Sequence, residues 1–306
     1  MNKYENSVGV LIPEILLPKE GTDMTKWAVV ACDQFTSQPD YWQETESIVG
    51  DAPSTLRLML PEMYLEKPDE AERIEKINAT MKSYLDTGVL ENIGRGIMYV
   101  ERRAGANVRH GIMVALDLEC YDYSKGSTTL IRATEGTIVE RIPPRLRIRK
   151  DAPVELPHIL VLIDDPERTV IEPIGESVGE SEKRYDFELM QGGGHIKGYF
   201  IKDDARIDRA LRALEALASP EVFSAKYGTD APSLLFAMGD GNHSFATAKA
   251  NWEQIKKTLS PELDGCEDGS SSYKPNVTGK PELAEGWRLN LSAFPLKRAP
   301  HANWNN

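Results

Sequence analysis

The segment over residues 233–250 constrains the fold of this chain more than any other. It reads SLLFAMGDGNHSFATAKA, an apolar run followed by two closely spaced glycines, an acid, an imidazole and a hydroxyl. From Phe245 onward the apolar residues fall on one helical face, at Phe245, Ala248, Trp252, Ile255 and Leu259. This spacing predicts a strand over 234–238, a glycine turn, and an amphipathic helix over 244–259.

A junction of strand, glycine turn and helix is suited to binding an anion. The first N–H groups of a helix have no partner inside it and carry partial positive charge. Glycine at 241 permits positive φ and close approach of the backbone to a ligand. Asn242, His243 and Ser244 can donate hydrogen bonds to phosphate oxygens. The alternative interpretation is a polar N-cap turn with a structural histidine.

A second glycine-rich segment, QGGGHIK over residues 191–197, permits two interpretations. Three glycines followed by His195 and Lys197 are typical of a flexible loop that touches phosphate. They are equally typical of a hairpin turn whose glycines serve backbone geometry. The segment lacks both the P-loop ending and the dinucleotide-binding glycine pattern.

Two arginine-containing segments lie just before the middle of the chain. Arg132 and Glu135, with two threonines nearby, could clamp a polar substrate or hold a metal–phosphate, or could form a surface ion pair. The run over 141–150 carries four arginines and a lysine, which suits a solvated face or an anion-facing patch. Asp33 and Gln34 follow a predicted buried strand over 27–32, a place where ligands bind in α/β proteins.

Composition excludes several classes of partner. The chain has 306 residues, 41% of them hydrophobic and 27% charged, as is ordinary for a globular protein with a large core. Its net charge of −12 argues against nucleic acid as the main partner. Three scattered cysteines favour reduced thiols in the cytoplasm, and no apolar run reaches the roughly 20 residues of a membrane span.

The order of predicted elements indicates an α+β fold, with mixed sheets flanked by helices. Predicted helices over 69–85 and 203–218 lie among predicted strands, and a polar stretch near 121–128 suggests a boundary. We predict an N-terminal α/β lobe over 1–125 and a C-terminal α/β lobe over 126–260 that carries the glycine turn. Periodicity stops near Pro261, so 261–306 is predicted to be an irregular or disordered tail.

Three segments together resemble a bacterial family, the domain-of-unknown-function family 1015. They are WAVVACDQFTSQPDYW at 27–42, RATEGTIVERIPPRLRIRKDAPVELP at 132–157 and GDGNHSFATAK at 239–249. The resemblance covers about residues 5–260 and identifies a family without a settled activity. It also implies a longer protein with more ordered chain after residue 259. A truncated or frameshifted end, or divergence, would explain the different tail.

The turn at 240–244 carries a more distant resemblance. Many family members have Asp-Gly-His-His-Arg there, which is similar to the phosphate-binding motif of ParB/sulfiredoxin-like proteins. That superfamily includes nucleotide-hydrolysing ParB, sulfiredoxin and a free-serine kinase that uses ADP. The likeness implies a ParB/sulfiredoxin-like element in which the turn holds nucleotide phosphates. Here Asn242 replaces a histidine and Ser244 replaces the arginine, a bidentate phosphate ligand.

The resemblance implies a phosphoryl-transferring or nucleotide-hydrolysing enzyme, kinase-like, acting on a small phosphorylated ligand with Mg²⁺ and ATP or ADP. Phosphate would lie on the turn formed by Gly241, Asn242, His243 and Ser244. His243 would be the acid/base, with Asp240 or Glu135 as base or metal ligand. Positive charge would come from Arg132, His195 or Lys197, converging on one pocket.

Two other functions remain open from the sequence. The replacements at 242 and 244 favour a non-catalytic ligand-binding or scaffold protein that retains only the phosphate turn. A DNA-associated ParB-like protein is disfavoured by the net charge of −12 and by the absence of a helix-turn-helix signature.

Overall fold

The computed structural model describes residues 6–30, 35, 38–258 and 288–290. Asp33 and Gln34 lie outside the described residues, as do 259–287 and 291–306, which include most of the predicted tail.

Strands and helices alternate along the chain. The described strands are β1 (Val10–Leu11), β2 (Glu14–Pro18), β3 (Leu90–Arg95), β4 (Ile97–Ala104), β5 (Asn107–Met113), β6 (Ala115–Leu116), β7 (Ile131–Arg132), β8 (Leu160–Leu162), β9 (Lys183–Leu189), β10 (Gly194–Ile201), β11 (Phe236–Asp240) and β12 (Arg288–Asn290). The described helices are α1 (Met24–Trp27), α2 (Pro39–Val49), α3 (Glu70–Asp86), α4 (Ile142–Arg149), α5 (Glu172–Gly175), α6 (Asp204–Ala218), α7 (Pro220–Tyr227) and α8 (Asn242–Thr258). Short 3₁₀ helices lie at Thr55–Leu58, Glu62–Tyr64, Leu118–Cys120, Val139–Arg141 and Glu180–Glu182.

Mixed sheets and flanking helices confirm the predicted α+β class. The largest described sheet is antiparallel, in the order β5-β4-β10-β9. A second sheet has the order β7-β11-β8, with β7 parallel and β8 antiparallel to β11. A third has the order β12-β2-β3, and β1 pairs with β6. The ParB/sulfiredoxin-like element stays a prediction.

The four-stranded sheet lies between two hydrophobic cores. Successive side chains of a strand point to opposite faces, so β4 and β10 contribute to both. On one face, Tyr99 and Tyr199 join a core that also contains residues of α6 and α8. On the other face, Met98 and Phe200 join a core built with α3. The sheet therefore fixes the position of α8 through the first of these cores.

Strands from both predicted lobes share this sheet. β4 and β5 precede residue 125, and β9 and β10 follow it. The strand β12, which falls within the predicted tail, pairs in parallel with β2 near the start of the chain. The lobe boundaries at 125 and 260 stay predictions. In the described part of the chain, no helix is both long and apolar enough to cross a membrane.

The predicted strand over 27–32 is wrong over the residues that the structure describes. Trp27 ends helix α1, which begins after Asp23, whose carboxylate accepts from the Thr25 and Lys26 N–H groups. Residues 28–30 are buried, but the backbone here bonds to the side chain of another segment and not to a neighbouring strand. The Thr55 hydroxyl donates to the Trp27 carbonyl at 2.9 Å and accepts from the Val29 N–H at 3.1 Å.

Candidate functional site

The junction of β11 and α8 places the glycine turn at the end of a buried strand. Met238 is fully buried in β11, and Phe245 packs into the same core from α8. Gly241 between them has a φ of +86°, and a Cβ there would approach Ile159 to 3.2 Å. Glycine is therefore required by the backbone at 241. The Gly241 N–H donates to its neighbour Asp240 Oδ1 at 2.7 Å, so it is not available to a ligand.

The start of α8 keeps open hydrogen-bond donors. The first bonded N–H belongs to Phe245, which donates to the Gly241 carbonyl at 2.9 Å. The N–H groups of Asn242, His243 and Ser244 have no acceptor among the described residues. Since the helix dipole adds partial positive charge at this end, the three donors favour an anion. The Ser244 hydroxyl likewise has no described partner.

The Asn242 side chain fastens the segment after β7 to the start of α8. It is 5% exposed, its Oδ1 accepts from the Thr134 N–H at 3.1 Å, and its Nδ2 donates to Thr134 Oγ1 at 3.3 Å. Thr134 Oγ1 in turn donates to the Met238 carbonyl at 2.6 Å. The amide of Asn242 is thus occupied by protein groups, and a ligand at 242 would be bound by the backbone N–H.

His243 holds the same segment at a second point. Its Nε2 accepts from the Ile138 N–H at 3.2 Å, and its Nδ1 lies 3.9 Å from Glu135 Oε1. Nε2 therefore carries the lone pair, and the proton of the neutral ring is on Nδ1. Burial lowers the pKa of His243, the Arg141 charge lowers it further, and Glu135 opposes this. The ring is therefore neutral at pH 7.

The Arg132 guanidinium points away from the turn. Its Nη2 donates to the carbonyls of Thr128, Pro232 and Ser233, at 3.0, 2.9 and 2.9 Å. Ser233 precedes β11, whereas the glycine turn follows it, so the two lie at opposite ends of the strand. Arg132 therefore links the backbone at residue 128 to the backbone at residues 232–233, at the end of β11 opposite the glycine turn.

His195 and Lys197 form a separate cluster on the four-stranded sheet. His195 Nε2 lies 2.9 Å from Asp186 Oδ1, and Lys197 Nζ lies 3.7 Å from Asp186 Oδ2. Within the described ranges, neither side chain has a hydrogen bond or ion pair with the turn at 240–244. The predicted site residues Glu135, Asp240, Gly241, Asn242, His243 and Ser244 are brought together, whereas Arg132, His195 and Lys197 are not.

The glycines at 192–194 serve backbone geometry. Gly194 has a φ of +86°, and a Cβ there would lie 2.2 Å from the Arg103 carbonyl oxygen. The guanidinium of Arg102, which is 7% exposed, donates to the carbonyls of Gly193, His195 and Arg103. These contacts support the hairpin interpretation of the segment over 191–197.

Arg141 is a cation of the site that sequence reasoning did not single out. The other arginines of its run are paired: Arg145 with Glu62, Arg147 with Glu70, and Arg149 with Glu155. Arg141 is exposed and has no carboxylate partner in the described part of the chain. It lies just before α4, which packs against α8, and its charge acts on His243. The run of arginines over 141–150 indicated a cation-rich surface. It did not single out Arg141, because the carboxylates that pair with Arg145 and Arg147 are distant in sequence.

These features define a class: an α+β protein with an open helix start, a glycine turn and an exposed arginine that has no carboxylate partner among the described residues. The chain belongs to the family described as "Protein of unknown function (DUF1015)", whose sequence model matches residues 16–273. This match confirms the resemblance to that family. Comparison with curated proteins and with solved structures finds no match. The similarity to ParB/sulfiredoxin-like proteins stays a prediction.

Proposed function

We propose that this protein binds a phosphorylated small ligand at the start of α8. The observation that supports this most strongly is Arg141, which lacks a described carboxylate partner and acts electrostatically on His243. The open N–H groups of residues 242–244 and the His243 side chain belong to the same first turn of α8. Backbone donors at a helix start combined with a guanidinium are strong ligands for a phosphate group.

Arg141 would supply the charge that the turn itself lacks. Ser244 stands where the resemblance implies an arginine, and the three expected substitutes, Arg132, His195 and Lys197, contact other groups. An arginine brought in by the segment leading into α4 restores a permanently charged, bidentate donor beside the turn. This role for Arg141 replaces the one predicted for the three substitutes.

We further propose that the ligand is a nucleotide, ATP or ADP, and that the chemistry is phosphoryl transfer or hydrolysis in the cytoplasm. Mg²⁺ commonly uses one or two protein carboxylates together with substrate phosphates. Asp240 and the exposed Glu135 are the carboxylates at the turn. Among the described residues, no group of three or more metal-ligating side chains forms a site, so Mg²⁺ would arrive with the ligand's phosphates.

A second candidate function is ligand binding without turnover. A general base needs a free lone pair to accept a proton. In His243 the lone pair of Nε2 is already engaged, because it accepts a hydrogen bond from the Ile138 N–H. This hydrogen bond favours a histidine that positions the segment over 134–141 rather than one that transfers protons. The protein would then retain phosphate binding while acting as a sensor or scaffold.

Replacing Arg141 by glutamine is expected to weaken phosphate binding about tenfold, equivalent to about 1.4 kcal/mol, because a charge-assisted contact is lost. Isothermal titration with inorganic phosphate, ADP and ATP, with and without Mg²⁺, measures this. Lys150→Gln is the matched control. It removes an exposed positive charge at the opposite end of α4, and it should leave affinity unchanged.

The same samples separate the two candidate functions. Phosphate or ADP released from ATP in the presence of Mg²⁺ would support an enzyme, whereas saturable binding without turnover would support the non-catalytic alternative. Folded wild-type protein that binds none of the three ligands would contradict the proposed function.

A further inference from the structure

The strand β8 is an open sheet edge made of apolar residues. In the part of the chain that the structure describes, β8 pairs with β11 on one side and with no strand on the other. The run over 159–163 reads ILVLI, five apolar residues without a charge or a proline. An exposed edge offers unpaired N–H and C=O groups to another strand, and charges or prolines commonly block it. This run lacks that protection.

None of the five residues in the run is buried among the described residues. Ile159, Val161 and Ile163 are partly buried against the core to which α8 contributes. Leu160 and Leu162 alternate with them and belong to the opposite face of the sheet, where Leu162 is 48% exposed. Apolar side chains exposed along an open edge favour contact with another chain over contact with water.

Tyr227 of α7 adds an exposed aromatic ring at the end of this edge. Its side chain is 50% exposed, and its hydroxyl donates to the carboxylate of Asp164, two residues after Leu162. Lys226 Nζ lies 2.8 Å from the same carboxylate. The end of β8 therefore combines an exposed anion with an apolar surface.

The apolar run is complementary to itself in an antiparallel pair of strands. One register places every residue of 159–163 opposite an apolar residue, and this register is centred on Val161. Any shift leaves an apolar residue opposite a polar one at the end of the run, so hydrophobic matching selects this register. Leu160 then lies opposite Leu162 of the second copy. Such a pairing has two-fold symmetry, the commonest symmetry of protein dimers.

The same register brings opposite charges together at both ends of the run. It places His158 opposite Asp164 of the second copy, although neither residue was used to choose the register. The Leu156 carbonyl accepts from His158 Nδ1 at 2.8 Å, which leaves Nε2 for the second copy. Contacts with Lys226 and Tyr227 lower the pKa of Asp164, so its carboxylate is ionised. A protonated imidazole donates to a carboxylate, and the two-fold axis repeats the contact.

We propose that a second copy of this chain pairs with the open edge of β8, antiparallel about Val161, and joins the two three-stranded sheets into one sheet across a two-fold axis. The proposal is independent of phosphate binding. A strand of a different protein would satisfy the same backbone groups, but the match of His158 with Asp164 favours a second copy.

Sedimentation velocity of the full chain over a range of concentrations tests the proposal. Wild-type protein is expected to form a reversible dimer. Leu162→Lys should weaken it about a hundredfold, because the added charge enters the edge pairing at two symmetric places, each worth about tenfold. Val108→Lys is the matched control. It adds the same charge to a residue that is 44% exposed on β5, an edge strand of the four-stranded sheet, and it should leave the dimer unchanged.

Two replacements of His158 test the register. His158→Asp would place like charges opposite each other at Asp164 and should weaken the dimer about tenfold. His158→Lys keeps a positive charge opposite Asp164 and should retain the dimer. Thermal unfolding of each variant verifies that it is folded.

Each of the other outcomes would overturn the proposal. Wild-type protein that stays monomeric at every concentration would leave the edge to a strand of a different protein. A dimer that survives Leu162→Lys, or that Val108→Lys weakens equally, would have its interface elsewhere. Equal effects of the two His158 variants would overturn the register and with it the proposed pairing.

Discussion

Replacing Gly194 by alanine is expected to lower the free energy of unfolding by about 3 kcal/mol, through backbone strain combined with a steric clash. Gly194 has a φ of +86°, and the new Cβ would lie 2.2 Å from the Arg103 carbonyl oxygen. The backbone cannot easily move away, because Arg102 donates to carbonyls on both sides of the contact. Urea unfolding followed by circular dichroism measures the change.

Gly192→Ala is the control for this prediction. Gly192 also has a positive φ, +65°, but a Cβ there meets no atom within 4 Å. Its replacement should cost only about 1 kcal/mol, the usual penalty for a left-handed non-glycine residue. Equal and small losses for the two variants would contradict the close approach at Gly194 and revive the interpretation of the segment as a ligand loop.

Replacing Asn242 by alanine is expected to lower the free energy of unfolding by about 2 kcal/mol, because two hydrogen bonds of a buried side chain, each worth about 1 kcal/mol, would be lost. The side chain is 5% exposed and bonds both the N–H and the hydroxyl of Thr134. Removing it leaves the segment that carries Ile138 and Arg141 held to the start of α8 by the hydrogen bond from the Ile138 N–H to His243. We expect phosphate affinity to fall as well, which titration of the same variant measures.

The neighbouring Ser244→Ala provides the comparison for stability. The Ser244 hydroxyl has no described partner, so its removal should change the free energy of unfolding by less than about 0.5 kcal/mol. A loss at Ser244 as large as that at Asn242 would show that the junction is held by contacts other than those to Thr134.

Helices with strong local signals could be predicted from the sequence. The spacing of apolar residues placed one helix over 203–218, and α6 spans Asp204–Ala218. Asp203 caps it by accepting from the Arg206 N–H at 3.0 Å, a contact three residues away. The described residues 27–30 are also apolar, but the backbone groups of Trp27 and Val29 bond to the Thr55 hydroxyl, a distant partner that local patterning does not reveal.

The site divides in the same way between local and distant contacts. The glycine turn and the helix start depend on residues 240–245, so their position could be predicted. The direction of the Arg132 side chain depends on carbonyls near residue 232, about 100 positions away. Glu62, Glu70 and Glu155 pair with the other arginines of the run, whereas Arg141 has no carboxylate partner among the described residues. Three-dimensional contacts decide which cation remains available.

Phosphate binding at the start of α8 can be observed residue by residue through backbone amide shifts by NMR during titration with inorganic phosphate. The proposed site predicts that the amides of Asn242, His243 and Ser244 show the largest saturable shifts, and that Arg141→Gln reduces them. Binding at this site would be contradicted if these three amides did not respond, or if the largest shifts fell on the glycine turn at 192–194.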